Sequence, residues 1–483
     1  MDTSGKLTVS SARLHSRYEP EAEAERYVSA LNLGGSVDYF ILIEPGQGYL
    51  ISALRKRRHG CKPVVLHADT AFRETECLYP EVPMWFPDSG TGVQEFLEAN
   101  IPEAAAVRII EWRPSLNVYG ESCLSLFRES GDFIKRQEAG RRTASAFGRR
   151  WVRNFFRNLA IMRNAVLYRP MDLPIVITGS GPSLESALPQ ILAAGDSVFV
   201  LAASSSVPAL AAGGITPDMV IASDGGAWAL LHLYACFRGQ NSARPPRLAY
   251  SLCAALPSRC SEIPLLPMND GSLWQSMALK AAGVPSVLVP QRGTVTASAL
   301  ELAMTLGTGG IFLAGMDLSV ADIKSHARPY GFDHLFFGSA GRLRPVYSQC
   351  FERSGAIRAG GSHDVYAAWF KSRAASWPKR IYAMGGSHAA LAGSLPSKPL
   401  PAAGKTGASG KAGGHFRAIP LEGAPYDRCR RAAETLAAAL DDSRYSAVLA
   451  GELAPLLFPS RPEAPAGEIA AALNGMAKRY RGA

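Results

Sequence analysis

The chain predicts an α/β protein whose central part is a doubly wound parallel sheet, preceded by a smaller α/β domain and followed by a helical C-terminal region. Three observations predict it. Between residues 174 and 395 short β-branched runs alternate with apolar-periodic segments, the βαβα pattern of a sheet covered on both faces. Several of those runs end in Gly, Ser, Thr or Asp, the residues that gather ligands at strand ends in this architecture. At 483 residues, 47% of them hydrophobic, the chain is too long for one ordinary domain and rich enough for several cores.

Taken in order, residues 1–36 read as a polar lead-in. Val37–Ile43 predicts a strand, Glu44-Pro45-Gly46-Gln47-Gly48 a turn, Tyr49–Arg58 a helix with a basic end, and Lys62–His67 a second strand. The Gly46-x-Gly48 turn, with Asp69 just past the next strand, has the shape of a methyltransferase-like or dinucleotide-binding loop. A lone G-x-G is a weak signal, and a glycine turn in a non-catalytic domain is the plainer reading. Further strands are expected at Val107–Trp112 and around Val118–Tyr119, completing an N-terminal domain over 1–132.

Residues 133–165 carry a long helical pattern within a connecting segment, 133–170, that ends at Arg169-Pro170. It holds nine Lys/Arg between positions 135 and 163 against one acid, Glu138. With Trp151, Phe155, Phe156 and Leu159 packed inward, the plain reading is a solvated basic face; the sharper one is a contact surface for an acidic partner.

The central domain, 171–395, opens on Pro174–Leu184, in which Ile175-Val176-Ile177-Thr178 drops into Gly179-Ser180-Gly181-Pro182-Ser183 and then into a helix with Leu184, Leu188 and Ile191 on one face. Strand, glycine-bracketed turn and helix is how an α/β sheet begins an anion site, since glycines let the backbone approach and a helix start offers N–H donors. Ser197–Ala203 is the next strand, ending in Ser204-Ser205-Ser206, and Met219–Ala222 a third, ending in Ser223-Asp224-Gly225-Gly226. Leu248–Tyr250 and Ser286–Pro290 follow, the latter leading to Gly293-Thr294 and a small-residue helix from Ala297 to Leu306. Gly310–Gly315 is a buried strand closing on Met316-Asp317-Leu318-Ser319. The His- and aromatic-rich stretch Ser325–Phe337, with His326 and His334, has the composition of a loop that covers a site. A helix around His363–Arg373 and a strand at Arg380–Ala383 finish the domain; 396–420 reads as a flexible linker rich in Gly, Ala, Pro, Ser and Lys, and 421–483 as Ala-rich helices.

Composition narrows the function class. No apolar tract reaches transmembrane length, and Met1–Lys6 lacks the basic-then-apolar order of a leader, so a cytoplasmic protein is expected. Eight cysteines are scattered without a C-x-x-C pair, which argues against a zinc site or a disulfide framework, and no metal ligands are assigned. A net charge of +10 suits an acidic partner or a phosphorylated, carboxylated substrate without choosing between them.

The ligand-capable strand ends are therefore Gly179, Ser180, Gly181, Pro182 and Ser183; Ser204 and Ser205; Asp224; Gly293 and Thr294; and Gly315 and Asp317. They supply phosphate donors, hydroxyls and carboxylates on one rim. Neither the G-x-x-x-x-G-K-[ST] run of a P-loop nor G-x-G-x-x-G is present. The set Ile177–Leu184, Gly214-Ile215-Thr216-Pro217-Asp218, Asp224, Gly293-Thr294-Val295 and Gly315–Ser319 resembles the motility-associated factor (Maf) glycosyltransferases. Upstream, Gly46–Leu50 and the Trp151/Asn154/Asn158 helix resemble that family's earlier parts, so the likeness covers roughly 37–395.

The resemblance implies a Rossmann-like, sialyltransferase-like fold. It also implies transfer of a nonulosonic acid (pseudaminic, legionaminic or sialic type) from a CMP-activated donor to Ser/Thr hydroxyls of flagellin, free or bound to its chaperone. No cofactor and no nucleic acid are implied. Bacterial sialyltransferases read G-N-G-P-S-L in the first loop, so Ser180 stands where they carry Asn. The same resemblance places a catalytic His after the Gly315-Met316-Asp317 strand end, with His326, in a His-Ala pair, preferred over His334. His is the natural acid or base for such a step, while a His in a Tyr/Phe-rich loop is equally a packed lid residue. Asp224 reads either as an Asx turn or as a hydroxyl or Mg²⁺ ligand, and Asp317 as a loop brace. The signature is shared with 6-hydroxymethylpterin diphosphokinases, which would need ATP and Mg²⁺. A non-catalytic flagellar binding protein is the third reading.

Overall fold

The computed structural model describes residues 14–33, 37, 39–102, 105–235, 246–290, 293–358, 366–367, 370–371, 373–374, 377–384, 395–401 and 412–481. The chain divides into two compact units, Met1–Thr143 and Ala144–Ala483. The expected helix at His363–Arg373 lies largely outside the described residues, as does much of the expected linker.

The first unit is a four-stranded parallel sheet of β1 (Tyr39–Ile43), β2 (Lys62–Leu66), β3 (Met84–Trp85) and β4 (Val107–Ile110), in the order β3-β2-β1-β4. Helices α1 (Pro20–Ala30), α2 (Tyr49–Arg57), α3 (Thr75–Leu78) and α4 (Val93–Asn100) complete it. Alternation along β1 explains the layering: Phe40 and Leu42 enter one core, Ile41 and Ile43 the other. The expected polar lead-in contains α1, whose Ala24 and Val28, one turn apart, are its buried residues. Val118–Tyr119 is helix rather than strand, because α5 (Arg113–Ile161) begins before it and runs on through a break at Gly120 (φ 42°). The long helix is thus not confined to 133–165. Its Val152, Phe155, Phe156 and Leu159 are buried in the second unit, while Arg141, Arg142, Arg149, Arg150 and Arg153 are exposed.

In the second unit β5 (Asn164–Tyr168) pairs antiparallel with β14 (Phe416–Pro420), so part of the stretch expected as a linker is a strand. The main sheet contains β6 (Ile175–Thr178), β7 (Phe199–Ala203), β8 (Met219–Ala222), β9 (Arg247–Ser251), β10 (Leu265–Asn269), β11 (Val287–Leu288), β12 (Ile311–Ala314) and β13 (Ile381–Ala383). All are parallel, in the order β11-β10-β9-β8-β7-β6-β12-β13. Alternation again sets two layers. Val176, Val200, Val220 and Leu248 face a core shared with the C-terminal part of α5, whereas Ile177, Leu201 and Ile221 face one shared with Ala299, Leu300 and Leu302.

The connections include α6 (Leu184–Ala194), α7 (Val207–Ala212), α8 (Ala229–Ala235), α9 (Leu273–Ala282), α10 (Val295–Leu306), α11 (Asp333–Phe337) and α12 (Val346–Arg358). The C-terminal helices α13 (Pro425–Asp441), α14 (Ser446–Leu457) and α15 (Ala466–Lys478) bury Leu436, Leu453 and Leu473 in the α5-side core. Among the described residues no helix is long and apolar enough to cross a membrane. Strands β6 to β11 step outward to one side while β12 and β13 lie on the other, so the order reverses between β6 and β12. Ligand crevices in open α/β sheets form at such a reversal, outside the carboxyl ends of the two strands.

Candidate functional site

The two loops at the reversal, Gly179–Ser183 after β6 and Gly315–Ser319 after β12, are laced together. The N–H of Gly179 donates to Ala314 O (2.8 Å), that of Gly181 to Gly315 O (2.7 Å), and that of Ser183 to Asp317 Oδ2 (2.7 Å). The glycines are needed for this approach: a Cβ on Gly181 would overlap Asp317 Oδ2 and stand 2.7 Å from Gly315 O. Gly315 itself adopts φ 65°. Asp317 is 3% exposed and its carboxylate meets the first turn of α6, where negative charge is favoured.

These bonds alter the expected chemistry. The loop amides of Gly179, Gly181 and Ser183 are already spent on Ala314, Gly315 and Asp317, so they are not a ready cradle for a phosphate. The Ser183 hydroxyl, by contrast, is buried with no hydrogen-bond partner among the described residues. It lines a cavity of about 230 Å³ with Pro182, Glu185, Asp317, Ser319 and Lys324. A second helix start packs against the Gly179 end of the same loop. Thr294 caps α10 by accepting the Ala297 N–H (3.0 Å), and Thr296 Cγ2 lies 3.2 Å from where a Cβ on Gly179 would stand. Gly293, next to that cap, has φ 76°.

The remaining strand ends join this centre unequally. Ser205 Oγ donates to Ser180 Oγ (3.1 Å), and Ser204, in the same turn after β7, is buried. Buried Thr178 and Ser206 share a hydroxyl bond of 2.8 Å beneath them. Asp224 is exposed, two strands away, and its Oδ1 accepts the Gly226 N–H (2.7 Å) in an Asx turn. The loop behind it is held from α5. Asn154 Nδ2 donates to Gly225 O (3.2 Å) and Cys253 O (3.0 Å), and Asn158 Nδ2 to Leu252 O (2.7 Å) and Ala254 O (2.9 Å).

The stretch after β12 folds back over the centre. Ala327 N–H donates to Ser180 O (2.9 Å), and Glu185 on α6 takes Lys324 Nζ (2.7 Å) and the Arg328 N–H (3.0 Å). His326, adjoining the first of these ties, bonds Ser325 Oγ (3.0 Å) and stacks on Tyr330 at 4.0 Å. It lines a second cavity of about 560 Å³ with Tyr330, Arg328, Phe336, Cys350 and Arg353. His334 is exposed on α11 and is not among the lining residues of either cavity.

Sequence reasoning missed His232, buried on α8 with its ring 5.0 Å from Tyr330 and 4.4 Å from Phe332. Burial pulls its pKa down to about 4, so the imidazole is neutral at pH 7. Burial also pushes the Tyr330 phenol up to about 12, keeping it a hydrogen-bond donor. The signal was a lone His inside Ala229-Leu230-Leu231-His232-Leu233.

The Gly46–Gly48 turn occupies the corresponding reversal of the first unit, between β1 and β4. It is filled by the chain itself. A Cβ on Gly46 would meet His15 Nε2 at 2.9 Å, and one on Gly48 would overlap the Tyr79 ring. His15 bonds Pro45 O (2.9 Å) and stacks on Trp112 at 5.2 Å.

Residues 150–322, from late α5 to just beyond Asp317, match the family model described as 6-hydroxymethylpterin diphosphokinase MptE-like. Uncharacterized proteins of Treponema pallidum (strain Nichols) are similar. One is 27% identical over 287 residues, 58% of this chain and 61% of that protein; another is 29% identical over 145 residues, 28% and 37% respectively. The chain thus spans less than two thirds of the length of these relatives. The structure of a MAf glycosyltransferase from Magnetospirillum magneticum AMB-1 aligns over 95% of this chain and 78% of its own, with 15% identity and a TM-score of 0.48.

Proposed function

We propose that the chain is a cytoplasmic glycosyltransferase that moves a nonulosonic acid of pseudaminic, legionaminic or sialic type from its CMP-activated donor to Ser/Thr hydroxyls of flagellin, presented alone or with its chaperone. The observation that carries the reading is the hydroxyl-lined crevice at the β6/β12 reversal with His326 tied beside it through Ala327 and Ser180. The acceptor oxygen attacks the anomeric carbon as the bond to the phosphate oxygen breaks, and CMP leaves with that electron pair. Ser180, Ser183 and the start of α10 at Thr294 meet the charge developing on the phosphate. His326 takes the acceptor's proton. Asp317 and Gly315 act by holding the donor loop in shape, and no metal enters this scheme.

A second reading follows from the description of the matching family model, a pterin diphosphokinase. There, ATP–Mg²⁺ is the phosphoryl donor and the exposed Asp224 carboxylate the candidate magnesium ligand. A thermal-shift panel separates the two. CMP and CDP without metal should stabilise the protein, with ATP and S-adenosylmethionine inert. A clear shift from ATP–Mg²⁺ and none from CMP would replace the first reading with the second. His326→Ala should keep CMP binding and lose transfer; undiminished flagellin glycosylation by that variant would remove His326 from the chemistry.

A further inference from the structure

The second cavity is larger than a phosphate needs and is chemically distinct from the nucleotide crevice. Every residue lining it falls between Ile323 and Arg353, beyond the last residue, 322, of the MptE-like match. Its wall carries three arginines against two carboxylates, together with Tyr330, Phe336 and Phe337. The arginines are not equivalent. Arg344 is held by Glu352 (2.9 Å), and Arg328 lies 3.7 Å from Asp333 with its Nη2 on Cys350 Sγ (3.3 Å). Arg353 is half-buried with its guanidinium 4.0 Å over the Phe336 ring, and among the described residues it has no carboxylate partner. Stacking on an aromatic face leaves the edge of the guanidinium fork, the part that grips a carboxylate through two N–H bonds, available.

We propose that this cavity seats a carboxylate-bearing pyranose, with Arg353 pairing the carboxylate and Tyr330 and Phe336 packing the sugar's C–H faces. The assignment rests on the glycosyl-transfer reading for its role, that of receiving the sugar portion of the donor beside His326. Its binding chemistry stands on the cavity alone. At about 560 Å³ the space accommodates one substituted sugar ring. The Tyr330 phenol, neutral at ordinary pH, adds a hydroxyl donor to the wall that carries Arg353.

The test titrates the full chain with N-acetylneuraminic acid and, separately, with its methyl ester, which has the same ring and no charge, using ligand-observed NMR. Wild type should bind the acid at least tenfold more tightly than the ester. Arg353→Gln should lose that preference, Arg353→Lys retain part of it, and Arg344→Gln, whose partner is Glu352, keep it. Equal binding of acid and ester, no saturable binding of the acid, or an Arg353→Gln affinity within twofold of wild type would overturn the proposal. The acid/ester comparison on wild type decides the matter even where a variant folds poorly. CMP is titrated in parallel. Wild type that binds the acid and not CMP would sink the glycosyl-transfer reading and leave the carboxylate site standing; CMP binding without the acid preference would do the reverse.

Discussion

Replacing Asp317 tests the site's architecture most directly. Its Oδ2 accepts the Ser183 N–H at 2.7 Å from a residue 3% exposed. Asp317→Ala removes a hydrogen bond to a charged acceptor, about 1.5–3 kcal/mol, and a carboxylate at a helix start, about 0.3–1 kcal/mol. The expected loss is about 2–4 kcal/mol. Gly181→Ala attacks the same contact from the other side, since its methyl would overlap Oδ2 and crowd Gly315 O at 2.7 Å; overpacking of this kind costs about 1–3 kcal/mol. Once Asp317 is gone the methyl has only the Gly315 carbonyl to displace, so the two costs should not add. The double variant should be more stable than the sum predicts by about 1 kcal/mol. Urea unfolding of wild type, both single variants and the double variant measures this. Additivity within about 0.5 kcal/mol, the spread seen for independent sites, or an Asp317→Ala protein as stable as wild type, would refute the claim that Asp317 and Gly181 form one contact.

Three other perturbations follow from the same geometry. Glu185→Ala should free the Lys324–Arg328 segment, raising tryptic cleavage there at least fivefold while global melting moves little, because the Lys324 pair is partly exposed and worth at most about 1 kcal/mol; an unchanged cleavage rate counts against the tie. His232 titrates at about 4 when folded against an ordinary 6.5, so the unfolded chain takes up a proton in that window that the folded chain refuses, and stability falls as pH drops from 6.5 to 4. His232→Gln should flatten that part of the stability profile, and a profile parallel to wild type would dismiss the assignment. Glu452 on α14 accepts the Leu273 (2.9 Å) and Trp274 (3.0 Å) N–H groups opening α9. Glu452→Ala should therefore cost about 2–3 kcal/mol by denaturant titration and Glu452→Gln clearly less; equal losses would mean the carboxylate's bonds are not what matters.

The elements of the site were legible where local sequence decides them. Ile175–Thr178 and Ile311–Ala314 are short β-branched or apolar runs ending in glycine, and both are strands. β10 was hidden because Pro267 sits inside it, and proline in a run argues against an interior strand. The α12 segment was hidden for the opposite reason: its aromatics Tyr347 and Phe351 are exposed, so no buried face writes a helical period into the sequence. Arg353 and the cavity it lines went unseen with it. What no local pattern contains is pairing. Ser183 meets its acceptor Asp317 134 positions later, and that meeting consumes an amide that the motif alone offers to an anion.

The N-terminal unit makes the same point by contrast. It too has a strand, a G-x-G turn and a helix at a reversal of strand order, between β1 and β4. By topology it is as well placed for a ligand as the β6/β12 crevice. Its outcome is set by His15, 30 positions before Pro45, whose ring lies where a side chain on Gly46 would go and whose other face rests on Trp112 just past β4. Burial lowers the His15 pKa against the opposing pull of the Glu23 and Glu44 carboxylates. At β6/β12 the space beside Gly181 is likewise taken by a distant side chain, Asp317, but a cavity of about 230 Å³ adjoins the turn on the side of Pro182 and Ser183. Two turns with the same glycine grammar are thus both packed by side chains that come from elsewhere in the chain, and what sets the second apart is the cavity lined by Pro182, Ser183, Ser319 and Lys324 beside it, not space within the turn itself.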